Sequence, residues 1–359
     1  MSRAATEVDR FIAAVPKVEL HLHLVGSASP ETLARLAERH PDVAIPTDED
    51  GLRELFRFRD FSHFVEVYTA VNDLVRTTED VVVLLSGLAA DSASHNARYA
   101  EVTVTPYLHE MCGLPHGALV EGLDEGRRLA TREHGVELAW IYDIPGQYGQ
   151  PAARRTIDLV IGDPPPALVG FGLAGAEAGV DRRDFAQVFD EARAAGLAAV
   201  PHAGEGDGPA SVWAAIRDLH AQRIGHGVRS VEDPELVRVL VDRRVPLDVC
   251  PSSNVCTRLY PSLEVHPVKQ LMDAGVVVTL NTDDPHMFET DLDEEYRRVA
   301  HTFGLDIPAV AALVRNGVDA ALVPPDRKRS LHREIDTVLD SVSTPASDSP
   351  GVQSPEAWE

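Results

Sequence analysis

Basic residues are scarce in this chain of 359: 33 Lys and Arg stand against 57 Asp and Glu, a formal net charge of −24. Nucleic-acid binding rests on clusters of Lys and Arg set against phosphates, so this balance excludes nucleic acid as a partner. Cysteine is scarcer still, with Cys112, Cys250 and Cys256 alone. An odd count without a C-x-x-C pair is neither a disulfide framework nor a zinc finger, and it fits a reducing compartment. No apolar run is long enough to span a bilayer. The opening MSRAATEVDRFIAAVPK has neither the apolar core nor the cleavage site of a signal peptide. The expected setting is therefore cytoplasmic, away from membranes. The length suits one large α/β barrel or two ordinary domains.

What is present is a rhythm. Short β-rich runs alternate with helical stretches: VELHLHL (18–24), RYAEVTVTP (98–106), VELAWIYDIPG (136–146), LVGFGLAG (168–175), AAVPHAGE (198–205), RIGHG (223–227), VPLDVCPSSN (245–254) and VVVTLNTDDP (276–285). Strands separated by helices such as ETLARLAER and PELVRVLVDR predict parallel βα units. Such units can close a (β/α)8 TIM barrel, whose active site lies at the C-terminal ends of the strands. The first gap, 28–97, is too long for one crossover helix. The stretch LRELFRFRDFSHFVEVYTAVNDLV within it reads as helical, with Phe58, Phe61, Phe64, Val65 and Tyr68 at helix spacing. Extra helices inserted after the first strand could cap the barrel mouth or pack on its side. Residues 1–340 form one domain on this reading. The Ser/Pro-rich tail 341–359 has almost no periodic apolar residues and is expected to be disordered.

Several of these runs end in reactive residues. His21 and His23 are two apart, hence on one face of a strand, where imidazoles can chelate a metal or simply be satisfied inside a barrel. His202, within the fifth run, adds a further nitrogen donor. Glu205 follows past a small Ala-Gly turn and is either an exposed loop carboxylate, a helix cap or an acid. His226 sits between two glycines. Asp283 and Asp284 precede Pro285, a sequence that also suits an Asx turn. Taken together, three histidines and a carboxylate at strand ends fit a zinc site with one position left open for water.

The motifs PKVELHLHLVGS, RYAEVTVTP, VGFGLAGAEAG, PHAGEGDGP, RIGHGV, CPSSNVCT and NTDDP, in that order, resemble the adenosine deaminase family of metal-dependent hydrolases. The resemblance runs from Pro16 to the RNGVDAAL stretch near 322. It implies one zinc ion per subunit, held by His21, His23, His202 and Asp283. It implies that Glu205 protonates the purine at N1, that His226 stands beside the attacking water, and that Asp284 faces N7. Gly175 would offer its N–H to N3, and Ser253 would steady the aspartate ligand. The implied reaction is hydrolytic deamination of a 6-aminopurine nucleoside. The other zinc deaminase design pairs H-x-E with P-C-x-x-C, and the cysteines of CPSSNVC are spaced wrongly for it. Two-metal hydrolases on this barrel usually add a lysine or a further carboxylate, and none of the eight runs contains Lys. A non-catalytic relative would be expected to have lost a ligand or Glu205.

Substrate choice turns on Val25. The resemblance implies an acidic residue at this position in adenosine deaminases proper, accepting a hydrogen bond from the ribose 5′-hydroxyl. If the strand continues to Val25, the valine faces the same way as His21 and His23 and accepts nothing. Within the family, HLHLVGS together with FRFRDF resembles the members that convert aminodeoxyfutalosine to futalosine on a route to menaquinone. The carboxyphenyl group of that substrate would pack on Val25, Phe58, Phe61 and Phe64, and its carboxylate would pair with Arg57 or Arg59. Adenosine and 5′-methylthioadenosine are the alternative substrates.

Overall fold

The structure is a computed structural model, described over residues 3–343. Helix α1 (Arg3–Ala14) leads into strand β1 (Lys17–His23), and the remaining strands are β2 (Ala97–Val104), β3 (Glu137–Pro145), β4 (Leu168–Ala174), β5 (Ala198–Ala199), β6 (His202–Ala203), β7 (Ile224–His226), β8 (Leu247–Val249) and β9 (Val278–Leu280). All neighbours pair in parallel, in the orders β1-β2-β3-β4-β5 and β6-β7-β8-β9. Only Val200 and Pro201 separate β5 from β6, so the two sheets share one interrupted strand. At the other seam a parallel bridge joins Leu22 to Asp283, with His23 N–H on Asp283 O at 2.9 Å and Asp283 N–H on His21 O at 3.0 Å. These contacts close the parallel strands into a ring. Every residue of β1 is buried, as a parallel strand covered on both faces must be.

The crossover from β1 to β2 carries four helices: α2 (Pro30–Arg39), α3 (Glu49–Leu55), α4 (Phe61–Asn72) and α5 (Thr78–Ser94). The stretch 52–75, which reads as helical throughout, is broken between two helices. The chain leaves the helical path at Phe56, and the Asp60 carboxylate starts α4 afresh by accepting the His63 N–H. The run 245–254 is also shorter as a strand than expected, because Pro251 begins a helix, Pro251–Cys256. The final helix runs from Pro325 to Ser343, past the expected start of the tail at 341. The rest of that expectation concerns residues outside the described range. No described helix is long and apolar enough to cross a membrane.

Lys17 opens β1, although the sequence runs placed no lysine in a strand. It sits at the end of β1 away from His23, bonded to the Ile12 and Val15 carbonyls and paired with Asp293 at 3.0 Å. Deeper in the barrel, Arg223 is held by Glu101 and Asp248, each at 2.5 Å. Such a buried, fully paired triad ties β2 and β8 to the residue that leads into β7, and removing any one charge would strand the others.

Candidate active site

His21 and His23 end β1, His202 starts β6 and Asp283 lies just past β9, so ring closure brings four donors from three places in the sequence to one point. One donor atom from each lies within 4.8 Å of all the others. The Nε2 atoms of His21 and His23 each lie 3.2 Å from Asp283 Oδ1, and His23 Nε2 lies 3.3 Å from His202 Nε2. A tetrahedral ion with arms of about 2.0–2.1 Å has edges of roughly 3.3–3.4 Å, so these separations suit a metal's ligand shell. His21 Nε2 is buried yet makes no hydrogen bond, as expected of a lone pair reserved for a cation. The group therefore fits a divalent ion. The free oxygen of the aspartate, Oδ2, accepts the Ser253 hydroxyl at 2.7 Å. Such outer partners fix a ligand's orientation. Ser253→Ala is expected to lower metal affinity by about 10–100-fold without unfolding the chain, read by titration against a chelating indicator.

Two site residues hold left-handed backbone conformations, Asp283 at φ 67° and His226 at φ 58°. Such angles cost free energy in non-glycine residues and persist where surrounding structure enforces them. Glycine is required close by. A Cβ on Gly26 would fall 1.6 Å from Asp284 Oδ1, so the turn after β1 can lie against that carboxylate only without a side chain. At Gly175, φ is 83° and a Cβ would fall 2.1 Å from Gln147 Oε1.

Glu205, 5% exposed, faces His226 Nε2 across 3.6 Å, and the same nitrogen is 3.7 Å from Asp283 Oδ2. Its loop is braced by a residue whose role carries no signal in the sequence pattern. Glu177, following β4, accepts the backbone N–H groups of Gly204, Glu205, Gly206 and Asp207 and the Ser211 hydroxyl, and pairs with buried Arg182. A carboxylate satisfied by that many donors holds the acid's backbone in place.

His226 has a defined proton position. The Val268 N–H donates to His266 Nδ1 at 3.1 Å, so His266 carries its proton on Nε2 and gives it to Asn254 Oδ1 at 3.1 Å. The Asn254 amide in turn donates to His226 Nδ1 at 3.3 Å. The neutral His226 ring therefore bears its hydrogen on Nε2, aimed at Glu205 and Asp283.

Electrostatics follow from burial and crowding. Burial pushes the Glu205 carboxyl well above the usual carboxylate range, and Asp283 and Glu177 add to it. Burial and then Asp283 raise Asp284 in the same way. For Asp283 burial works upward, but the nearby imidazoles outweigh it and hold the group well below its ordinary value. Burial brings His226 down to about 3 against the attraction of Asp283, and burial with the adjoining imidazoles lowers His202. Against burial, Asp284, Asp283 and Asp143 raise His23 to about 10, so a divalent ion must displace its proton to take it as a ligand. Burial also lifts Asp143 to about 6, against the pull of His23 and the Thr105 hydroxyl.

A cavity open to solvent lies above this cluster. His23, His202, Glu205, His226, Asp283, Asp284 and Gly175 reach its wall, and α4 adds Phe61, Phe64, Val65, Tyr68 and Thr69. Four expected residues are not among the described lining groups. β1 ends at His23 and the chain turns, with Ser27 N–H on His23 O and Ala28 N–H on Val25 O, so Val25 is 1% exposed within the apolar core rather than on the strand face beside the histidines. Phe58 packs behind the wall on Phe64 and Phe288. Arg57 points outward, its side chain 70% exposed and paired with Glu54, and Arg59 is exposed too. The wall includes Asp143 and Gln147, which the sequence reading passed over.

A family model described as adenosine deaminase matches residues 16–338. An aminodeoxyfutalosine deaminase from Streptomyces coelicolor is 47% identical over 333 residues, 92% of this chain and 86% of that protein. Among solved structures, an adenine deaminase from Arthrobacter aurescens superposes with a TM-score of 0.88 at 29% identity, covering 91% of this chain and 100% of the other. An amidohydrolase from Burkholderia ambifaria with bound Zn gives 0.85 at 27% identity, covering 96% of each.

Proposed function

The chain belongs to the adenosine deaminase family, and from that premise we propose that it is a zinc-dependent deaminase of a 5′-extended 6-aminopurine nucleoside, converting aminodeoxyfutalosine to futalosine on the way to menaquinone. Its substrate is held by the identity of 47% over 92% of the chain to a relative that bears that name. The cavity supports it: Phe61, Phe64, Val65, Tyr68 and Leu108 give one side of the wall an apolar surface suited to a carboxyphenyl group. On this reading residues 28–97 cap the mouth of a single domain, with α4 as the part that meets the substrate.

When bound by His21, His23, His202 and Asp283, zinc supplies a Lewis acid that brings the pKa of water toward about 7. The chain's own residues do the rest. Gly175 and Asp284 orient the purine at N3 and N7. Glu205, kept protonated by burial, gives its proton to N1 as water adds at C6, so that no naked anion builds on the ring. His226 holds the incoming oxygen by a hydrogen bond from its Nε2–H and keeps that hydrogen throughout. N1 keeps the proton from Glu205 in the oxo product; of water's two protons, one replaces it on Glu205 and the other completes the departing ammonia.

The test is a panel of adenine, adenosine, 5′-methylthioadenosine and aminodeoxyfutalosine, followed by loss of the 6-amino chromophore. Aminodeoxyfutalosine should exceed adenosine in kcat/KM by at least about tenfold. That is ~1.4 kcal/mol, less than the ~1.5–3 kcal/mol available from burying an aryl-sized group. Adenosine or adenine as the best substrate would overturn the substrate assignment and leave the deaminase chemistry standing.

A further inference from the structure

We propose that Asp143 receives the ribose 2′- and 3′-hydroxyls of the nucleoside and so selects ribosides over free bases and deoxy analogues. The inference rests on the purine orientation given above and extends it to a part of the substrate for which that orientation names no partner.

The order of atoms round the purine can be laid on the order of strands round the barrel. The wall runs from Glu205 after β6, to Ala174 and Gly175 at the end of β4, to Asp143, Pro145 and Gln147 at β3, to Thr105 and Leu108 after β2, to His23 on β1 and finally to Asp283 and Asp284. The purine perimeter runs N1, N3, N9, N7. With N1 at Glu205, N3 at Gly175 and N7 at Asp284, the stretch of wall between Gly175 and Asp284 faces N9. The sugar attached there meets the ends of β3 and β2. Asp143 pairs in register with Gly172 of β4, three residues before Gly175, which sets it next along the wall from the N3 contact.

Asp143 is built to accept. It is 1% exposed, it lines the cavity, and its Oδ1 has no hydrogen-bond partner. A buried acceptor left bare in a ligand cavity needs a donor from the ligand. A carboxylate accepts without donating, and its two oxygens match the two O–H groups of a vicinal diol. An acidic side chain does the same for ribose in dinucleotide-binding folds. No Lys or Arg ion pair is formed by Asp143 among the described residues, so the carboxylate also repels an anionic end of a substrate and directs it away from β3, toward the α4 side.

The experiment uses the full-length, metal-loaded chain and three proteins: wild type, Asp143→Ala and the isosteric Asp143→Asn. Each is assayed on adenosine and on 2′,3′-dideoxyadenosine, with metal content measured alongside. Wild type should prefer the riboside. Asp143→Ala should lose at least about tenfold more kcat/KM on the riboside than on the dideoxy analogue, mainly through KM, with metal retained. Asp143→Asn, which keeps one acceptor, should fall between. Equal losses on both substrates in both variants would show a merely structural residue and overturn the proposal. A wild type that turns over neither adenosine nor aminodeoxyfutalosine would instead overturn the deaminase reading on which it rests.

Discussion

His202→Ala should empty the metal site and abolish measurable turnover while leaving the barrel folded. His202 stands on β6, a strand of two residues, and its Nε2 is one corner of the cluster, 3.3 Å from His23 Nε2. Removing it leaves two imidazoles and a carboxylate, too few for a closed set of four. Loss of a ligand exceeds the ~10–100-fold cost of losing an outer partner, so metal content should fall from about one ion per chain to a small fraction of that. The fold should survive, since its apolar core lies in residues such as Leu20, Ile224, Leu247 and Val278 below the mouth. The midpoint of thermal unfolding should drop to that of the metal-stripped wild type and no further, because metal that binds only the folded state stabilises it by mass action. Elemental analysis, calorimetry and the chromophore assay check this. Full metal and full rate in the variant would remove His202 from the ligand set.

The strand pattern was legible because parallel barrel strands are buried on both sides and read as apolar runs, and the reactive residues at their ends stand out against that background. His21, His23, His202 and Asp283 all carried this signal. Asp143 carried it too, as the acid near the end of IYDIPG, and it went unnoticed because a lone carboxylate has no spacing partner. Val25 shows the limit of alternation: a period of two holds only while the strand lasts, and β1 stops at His23. The split of α3 from α4 was written in Asp60, a cap residue, but the aromatic spacing around it suggested continuity. Glu177 and the His266–Asn254 relay were beyond reach, since their roles depend on backbone N–H groups brought near by the tertiary fold.

Glu205→Gln separates the acid from the metal. Gln has nearly the same shape and no proton to give N1, so the rate should fall by about 10²–10⁴, the usual worth of a positioned acid. Metal content should stay at the wild-type value, because Glu205 is outside the set of four. The pH profile supplies a second reading. The acid works only while protonated, so wild-type kcat/KM should decline as pH rises through a Glu205 pKa that burial has raised; the variant should lack that limb. Stability moves the opposite way. A carboxyl raised on folding contributes its stabilisation below its unfolded pKa of about 4.3 and loses it as pH climbs through the folded value. The neutral amide has no such loss, so at pH 8 the variant should unfold no lower in temperature than the wild type. A slow enzyme that is as stable as its parent identifies a residue kept for chemistry. A slow enzyme that is also markedly less stable at pH 8 would instead make Glu205 a structural member of the loop that Glu177 braces.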